Sequence, residues 1–428
     1  MTAKKHPSLS LSSCTEFAVS RPSGAASIST PSKFHFCQHM QIAFCGAWLA
    51  IALTGCGSSY SSNKTSPPGA SAPALWVANG ANVLEFNLTV NSQLSPPVYS
   101  PTLVLNSSAF GNVQGVVFDA SGNLWVVDGG NLNTHGGNIS GPALYQFTSA
   151  NLATLQSPAT GTPNITIASS AFRFPQQAAF DSKGDLWVSD SGANAIVEFL
   201  PAQLMASGSA VTPSLTLQSN PAFNSGYGRS TASTLGIAFD AAGDLWVANN
   251  GNSKLYEFNA ASLAAASGSV TLPPAVVLSD DGKQSIAWPW GLAFDSTGNL
   301  WVSNAGYFGL LDNLIAPVNT VVEFPKASLT AIGSPTPAVI LTSTTVNGNP
   351  SLNFPEGMTF DSSGGVAVAN SASPFGVSLY GSTQLMTGGA IAPFTLIGSA
   401  TAFKSPAGVT FGPLITYGSA GTYGGTMY

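Results

Sequence analysis

Few side chains in this sequence can do chemistry, and where they fall narrows what that chemistry is. All four cysteines, Cys14, Cys37, Cys45 and Cys56, lie in the first 56 residues, so the rest of the chain has no thiol nucleophile, disulfide or cysteine zinc site. After Cys56 the only histidine is His135, and no Gly-x-Ser-x-Gly elbow accompanies it. A serine-triad hydrolase would thus have His135 as its one possible base, in a Gly/Asn-rich insertion, and no nucleophile elbow to set beside it. Oxygen ligands remain available for a hard divalent ion. Glu356, in Phe-Pro-Glu-Gly-Met, is the candidate ligand, so a divalent cation is compatible with the sequence although no cofactor is required by it.

The elements that must position these residues are written as a repeat. GVVFDASGNLWVVD (115–128) returns as AAFDSKGDLWVSD (178–190), GIAFDAAGDLWVAN (236–249), GLAFDSTGNLWVSN (291–304) and GMTFDSSGGVAVAN (357–370). Each reads as a hairpin: Phe-Asp ends one strand, x-x-Gly turns the chain, and Leu-Trp-Val begins the next. Two half copies complete the set, LWVAN (75–79) with the second strand alone and GVTFGP (408–413) with the first alone. Complementary halves at the two ends predict a closed ring, which removes exposed sheet edges. The expected fold is all-β: a six-bladed β-propeller over 74–413, closed by pairing 408–411 with 75–79, followed by a Gly/Tyr-rich tail over 414–428.

A third strand follows in every repeat, as in ALYQF (143–147), and a fourth begins just after a proline, as in PSLTL (213–217). Proline suits an edge, so the fourth strand is expected to be the outermost. Trp76, Trp125, Trp187, Trp246 and Trp301 share one repeat position and read as packing between blades. Asp128, Asp190 and Asn249, which end their motifs, read as turn-formers.

Function is expected where the repeat breaks. The long insertions (128–142, 304–319, 219–234 and 345–354) all fall in connections that emerge on one face of a propeller. On that face the residue before the motif glycine varies in chemistry: Gln114, Gln176, Leu235, Trp290, Glu356 and Ala407. Trp288 and Trp290 flank Pro289, and Tyr227, Arg229, His135, Tyr307 and Phe308 lie on neighbouring insertions. The candidate binding residues are therefore Gln114, Gln176, Tyr227, Arg229, Trp288, Trp290, Tyr307 and His135, a set suited to stacking on sugars or peptide segments.

The repeat resembles that of the NHL-repeat propellers and, more loosely, that of the gluconolactonase and senescence-marker-protein propellers. The second resemblance implies a divalent ion in the central channel held by Glu, Asn and Asp. Glu356 superficially matches the first such ligand, and the remaining ligands find no counterpart. The virginiamycin B lyase propellers share the Gly-x-Leu-Trp hairpin, but their catalysis implies a histidine that is not evident here. Two readings stay open: a noncatalytic protein whose decorated face binds a glycan, peptide or envelope partner, and a metal-assisted lactonase-like hydrolase or lyase.

Composition sets the compartment. Only 7% of the residues are charged. From residue 57 onward, 8 Lys/Arg face 17 Asp/Glu, a net charge of −9, which leaves no basic patch for nucleic acid. QIAFCGAWLAIALTGC (41–56) is an apolar run of signal-peptide length, too short to span a bilayer comfortably. Its end, Leu53-Thr54-Gly55-Cys56, resembles the bacterial lipoprotein lipobox, which implies cleavage before Cys56 and acylation of that residue. Residues 1–56 are then a signal peptide, with a start codon that can lie downstream of Met1, and the Ser/Pro/Gly-rich 57–73 is a flexible tether. The expected location is the bacterial cell envelope, on a lipid anchor, facing the periplasm or the cell surface.

Overall fold

The computed structural model describes residues 74–88, 99–131, 141–218, 234–306, 318–398 and 402–413. Cys56, the 57–73 stretch and the 414–428 tail lie outside them. Six sheets of the described chain, each built on four antiparallel strands, are the blades of a β-propeller. Blade 1 takes its innermost strand, Pro406–Gly412, from the C-terminal end and continues through Ala74–Asn79, Val83–Phe86 and Leu103–Asn106. Blades 2 to 6 are sequential, with innermost strands Val113–Phe118, Pro175–Phe180, Thr234–Phe239, Pro289–Phe294 and Pro355–Phe360. The ring closes in the register the repeat implied, with Leu75 opposite Phe411, Trp76 opposite Thr410 and Val77 opposite Val409.

The motif aspartate organises each hairpin. Asp119 Oδ1 accepts the N–H groups of Ser121 and Asn123, both at 2.9 Å, and Asp181, Asp240, Asp295 and Asp361 repeat the arrangement. The turn needs a left-handed residue, and Gly122 supplies it at φ 76°.

The tryptophans then join the blades. Trp76, Trp125, Trp187, Trp246 and Trp301 each meet, edge to face, the motif phenylalanine of the next blade: Phe118, Phe180, Phe239, Phe294 and Phe360, with centroids 5.4–6.4 Å apart. The seam between blades 6 and 1 has Ala367 at the tryptophan position, and there Ala367 packs into a cluster with Leu75, Val77, Phe403 and Phe411.

One expectation about blade edges is corrected. In blades 1 to 5 the fourth strand is not outermost, whereas in blade 6 it is the outermost strand among the described residues. Leu105, Leu215–Leu217 and Leu341 each pair, in parallel, with a short segment handed over from the following blade: Ala159, Gly268–Val270 and Gly389. Ile167 and Leu278 make equivalent bridges to Gly208 and Gly333. The connections between third and fourth strands are therefore long, because they must reach a neighbour's edge. They are also fixed by buried leucines, Leu152, Leu204, Leu263, Leu329 and Leu385.

The hairpin turns are not chemically equal. In blades 2 and 5 the glycine is followed by Asn: Asn123 Nδ2 and Trp125 Nε1 both donate to Asp119 Oδ2, and Asn299 Nδ2 and Trp301 Nε1 both donate to Asp295 Oδ2. In blades 3 and 4 it is followed by Asp185 and Asp244, and a carboxylate cannot donate. In these two blades the buried indole N–H groups of Trp187 and Trp246 find no acceptor among the described residues. Burial, and then the adjacent Asp181, push the Asp185 carboxyl up to about 6. Burial, then Asp244 and Asp240, push Glu257 up to about 7.

Candidate functional site

The innermost strands converge at a ring of glycines. A Cβ on Gly115 would lie 2.7 Å from the Gln176 carbonyl oxygen, one on Gly357 2.5 Å from that of Ala407, and one on Gly408 2.8 Å from that of Gln114. Gly236 and Gly291 abut the Trp290 and Glu356 carbonyls still more closely. The glycine of the motif is thus required by the close approach of neighbouring backbones around the axis. Two seams add a hydrogen bond across blades: Ser189 Oγ donates to the Leu235 carbonyl and Ser303 Oγ to that of Glu356, each at 2.5 Å.

Blade 3 breaks the ring, with Gln177 in the glycine position. Its side chain lines an axial cavity of about 310 Å³ together with Phe118, Phe180, Met358, Thr359 and Thr410. The repeat carried this signal, since every other blade has glycine there, but the residue escapes a reading that looks only one position earlier.

The six residues before the ring lie on the loop face, which carries the connections from second to third and from fourth to first strands. Leu235 and Ala407 are buried. Gln176 is buried as well and turned inward, donating through Nε2 to Ser191 Oγ at 3.1 Å. Gln114 is half-buried. Trp290 and Phe354 come together between blades 5 and 6 as half-buried aromatics, their rings 5.5 Å apart at 65°, and Trp288, also half-buried, lies two residues before Trp290 in the entry to the same blade. His135, Tyr227, Arg229, Tyr307 and Phe308 lie outside the described residues.

The backbone of this patch is strained. Trp288 and Phe354 hold equivalent positions, each two residues before the ring residue and followed by proline, and both are left-handed, at φ 56° and 57°. A bulky residue in that region costs about 1–3 kcal/mol. The cost is met by specific clamps. Ser253 Oγ, from blade 4, accepts the Trp288 N–H at 3.1 Å, and Asn319 Oδ1, from blade 5, accepts the Phe354 N–H at 2.8 Å. The Ser371 N–H and hydroxyl both donate to the Phe354 carbonyl. Two aromatics are therefore presented on the loop face by bonds running between blades.

The buried Asp and Asn residues that end the second strands are turn-formers, as expected, and fully engaged. Asp128 accepts from the N–H groups of Gly111, Asn112 and Gly130, and Asp190 from those of Arg173, Phe174 and Ala193. Asn304 and Asn370 accept from Ala287 and Asn353 and donate to Ser285 and Ser351 carbonyls. These side chains anchor the incoming loops and leave little capacity for a ligand.

Glu356 sits beside the aromatic patch with 6% of its surface exposed, and burial pushes its carboxyl up to about 8, opposed by a hydrogen bond with Ser371. Gln176 makes the same contact with Ser191 in blade 3, so the protonated acid occupies the place of an amide. A neutral carboxyl is a poor cation ligand. Among the described residues no three His, Cys, Asp or Glu side chains gather where they could hold a metal ion. Glu356 therefore does not present the ionised first ligand that the gluconolactonase resemblance implies.

These carboxyls set a pH dependence. Asp185, Glu257 and Glu356 all have native values raised above their unfolded ones, so between about pH 4 and 8 the native state binds more protons than the unfolded state. Their stabilising effect is complete below the unfolded values and is lost as pH rises through about 6 to 8. Denaturant unfolding should show the protein less stable at pH 8 than at pH 5. Asp185→Asn, which restores the amide donor of blades 2 and 5, should flatten that slope; a stability that rises with pH across this window would contradict the assignment.

No protein-family model matches the chain, and no curated protein sequence matches it. Solved structures do. The propeller is similar to a chain in the crystal structure of a nidogen/laminin complex, with TM-score 0.52 and 13% identity over 80% of this chain and 98% of that one. It is similar also to a protein of unknown function from Bacteroides caccae, with TM-score 0.50 and 11% identity over 80% and 99% of the two chains. A putative 6-phosphogluconolactonase from Bacteroides uniformis aligns at TM-score 0.45 and 12% identity, over 76% of this chain and 83% of that one. At these identities the likeness concerns the fold alone.

Proposed function

We propose that the protein is a noncatalytic envelope lipoprotein whose loop face binds a neutral ligand with flat apolar surfaces, a glycan or an uncharged peptide segment. The observation that carries this reading is the aromatic patch of Trp288, Trp290 and Phe354, held in a strained backbone by hydrogen bonds between blades. Strain of this kind persists only where the surrounding structure enforces it, and it clusters at binding sites. The patch offers π-faces to sugar or peptide C–H groups, and the one carboxyl beside it is held neutral below about pH 8. Recognition by charge is therefore a minor element at this site. In this reading Cys56 carries the lipid that holds the domain at a membrane, and mass spectrometry showing an unacylated mature N-terminus would remove that element.

Native affinity electrophoresis through gels containing neutral polysaccharides tests the binding surface. The unaltered protein should be retarded in at least one of them, and Trp290→Ala should lose about 2 kcal/mol or more of the affinity, as for a central aromatic contact. Equal retardation of protein and variant in every gel that slows either would remove the proposed surface.

A further inference from the structure

Six large apolar side chains are exposed among the described residues: Leu200, Met205, Ile332, Ile340, Met386 and Phe394. Five of them lie in the connections from third to fourth strands, 200–214 in blade 3, 325–338 in blade 5 and 381–394 in blade 6. The third strand ends level with the start of the second, Phe199 opposite Leu186, Phe324 opposite Leu300 and Tyr380 opposite Val366. These connections therefore emerge beside the hairpin turns, on the turn face, opposite the loop face. Exposed apolar residues scattered singly need no explanation, but these favour one face, and the loop face adds none among the described residues. Blades 3 and 6 are opposite members of a ring of six, so the exposed side chains flank the axis on both sides. That arrangement meets a flat surface rather than filling a groove.

The chain also enters the propeller on this face. Ala74, the first described residue, lies opposite Gly412 at the turn-face end of its strand. In the sequence, residues 57–73 alone separate it from Cys56. A Ser/Gly-rich stretch of that length averages about 20–25 Å end to end. The loop face is a further strand away, about 20 Å for six residues. The turn face is not basic: the hairpin aspartates bond their own turn N–H groups, and among the described residues the exposed Lys183 and Lys326 are its cations. It is suited to an uncharged surface rather than to an anionic one.

We infer that the turn face rests on a lipid bilayer, with Met205, Ile332, Met386 and Phe394 entering the headgroup boundary and the loop face turned away from the membrane toward its ligand. The inference rests on the reading of Cys56 as the acylated residue. Each exposed side chain adds a small increment to membrane binding, and the anchor makes them count by holding the face at high effective concentration beside the bilayer.

Thiol labelling tests this in the mature chain reconstituted into vesicles. Its one native cysteine, Cys56, is blocked by acylation, so an introduced cysteine is the sole free thiol. Met205→Cys and Met386→Cys place a fluorescent label on the turn face. Ser170→Cys places it on the loop face, in the connection between Ile165–Ala168 and Pro175–Phe180, where Ser170 is exposed. In phosphatidylcholine vesicles containing nitroxide-labelled lipid, quenching should be at least about threefold stronger at positions 205 and 386 than at position 170. Adding Ile332→Ser and Phe394→Ser, with an unchanged melting curve, should lower quenching at position 386 toward that at position 170. Equal quenching at all three positions, in a chain that mass spectrometry shows to be acylated, would overturn this inference alone. Turn-face quenching that survives the two serine substitutions would do the same. An unacylated chain would overturn the lipoprotein reading and this inference together.

Discussion

A chain ending after Ser405 should fail to form a closed ring. Pro406–Gly412 is the innermost strand of blade 1 and pairs along Ala74–Gly412, Leu75–Phe411, Trp76–Thr410 and Val77–Val409. Its loss unpairs Ala74–Asn79, a strand buried at every residue, and removes Val409 and Phe411 from the cluster that seals blade 6 against blade 1. That seam has Ala367 where five others have tryptophan, so it has little packing to spare. An open array also exposes two sheet edges, which invite association. The deficit should exceed the roughly 5–15 kcal/mol of net stability a domain holds. Size-exclusion chromatography and thermal melting should show aggregation and no cooperative transition, whereas a chain ending at Pro413 should melt close to the full chain. A monomeric, cooperatively melting product ending at Ser405 would show that the ring does not depend on its closing strand.

The second large effect is expected at the axis. Gly291→Ala places a Cβ against the Glu356 carbonyl oxygen and within 2.9 Å of Ser303 Oγ. Ser303 Oγ itself bonds both the Gly291 N–H and the Glu356 carbonyl, so neither neighbour can retreat without breaking a hydrogen bond between blades. Overpacking against backbone on this scale should cost about 3 kcal/mol, the upper end of the usual range. Gly141→Ala is the control: it meets nothing within 4 Å and should change stability by less than about 0.5 kcal/mol. Denaturant midpoints with an unchanged slope would measure both. Equal midpoints for the two variants would show that the axial glycines are not there for close approach.

The fold was legible because each blade repeats one instruction. Phe-Asp-x-x-Gly-x-Leu-Trp-Val encodes the strand end, the aspartate that organises the turn, the glycine at positive φ and the tryptophan that meets the next blade's phenylalanine. The split motif at the ends encoded closure and its register. The parallel segments that cover the fourth strands of blades 1 to 5 were not legible. Ala159–Thr160 and Gly389–Ala390 are too short for a periodic pattern, and what fixes them is a neighbouring blade.

The site was legible in part. Trp288, Trp290 and Glu356 stood out as departures from the repeat, and in the structure Trp290 meets Phe354, two residues before Glu356. The left-handed backbone at Trp288 and Phe354 has no signature in residue type, because bulky aromatics disfavour it; only the clamps from Ser253 and Asn319 make it hold. Gln176 reads like Gln114 in sequence, yet it turns inward to Ser191, a partner 15 residues away that the motif spacing did not announce.

The central claim is that the loop face recognises an uncharged ligand through Trp288, Trp290 and Phe354. Isothermal titration of the full chain with soluble neutral oligosaccharides and uncharged peptides, in low salt and in 0.5 M salt, tests it most directly, because charge-driven binding weakens steeply over that range. The expected result is one ligand class whose affinity is unchanged by salt and lost in the Trp288→Ala, Trp290→Ala double variant. Binding that collapses in high salt, or that the double variant retains in full, would contradict it.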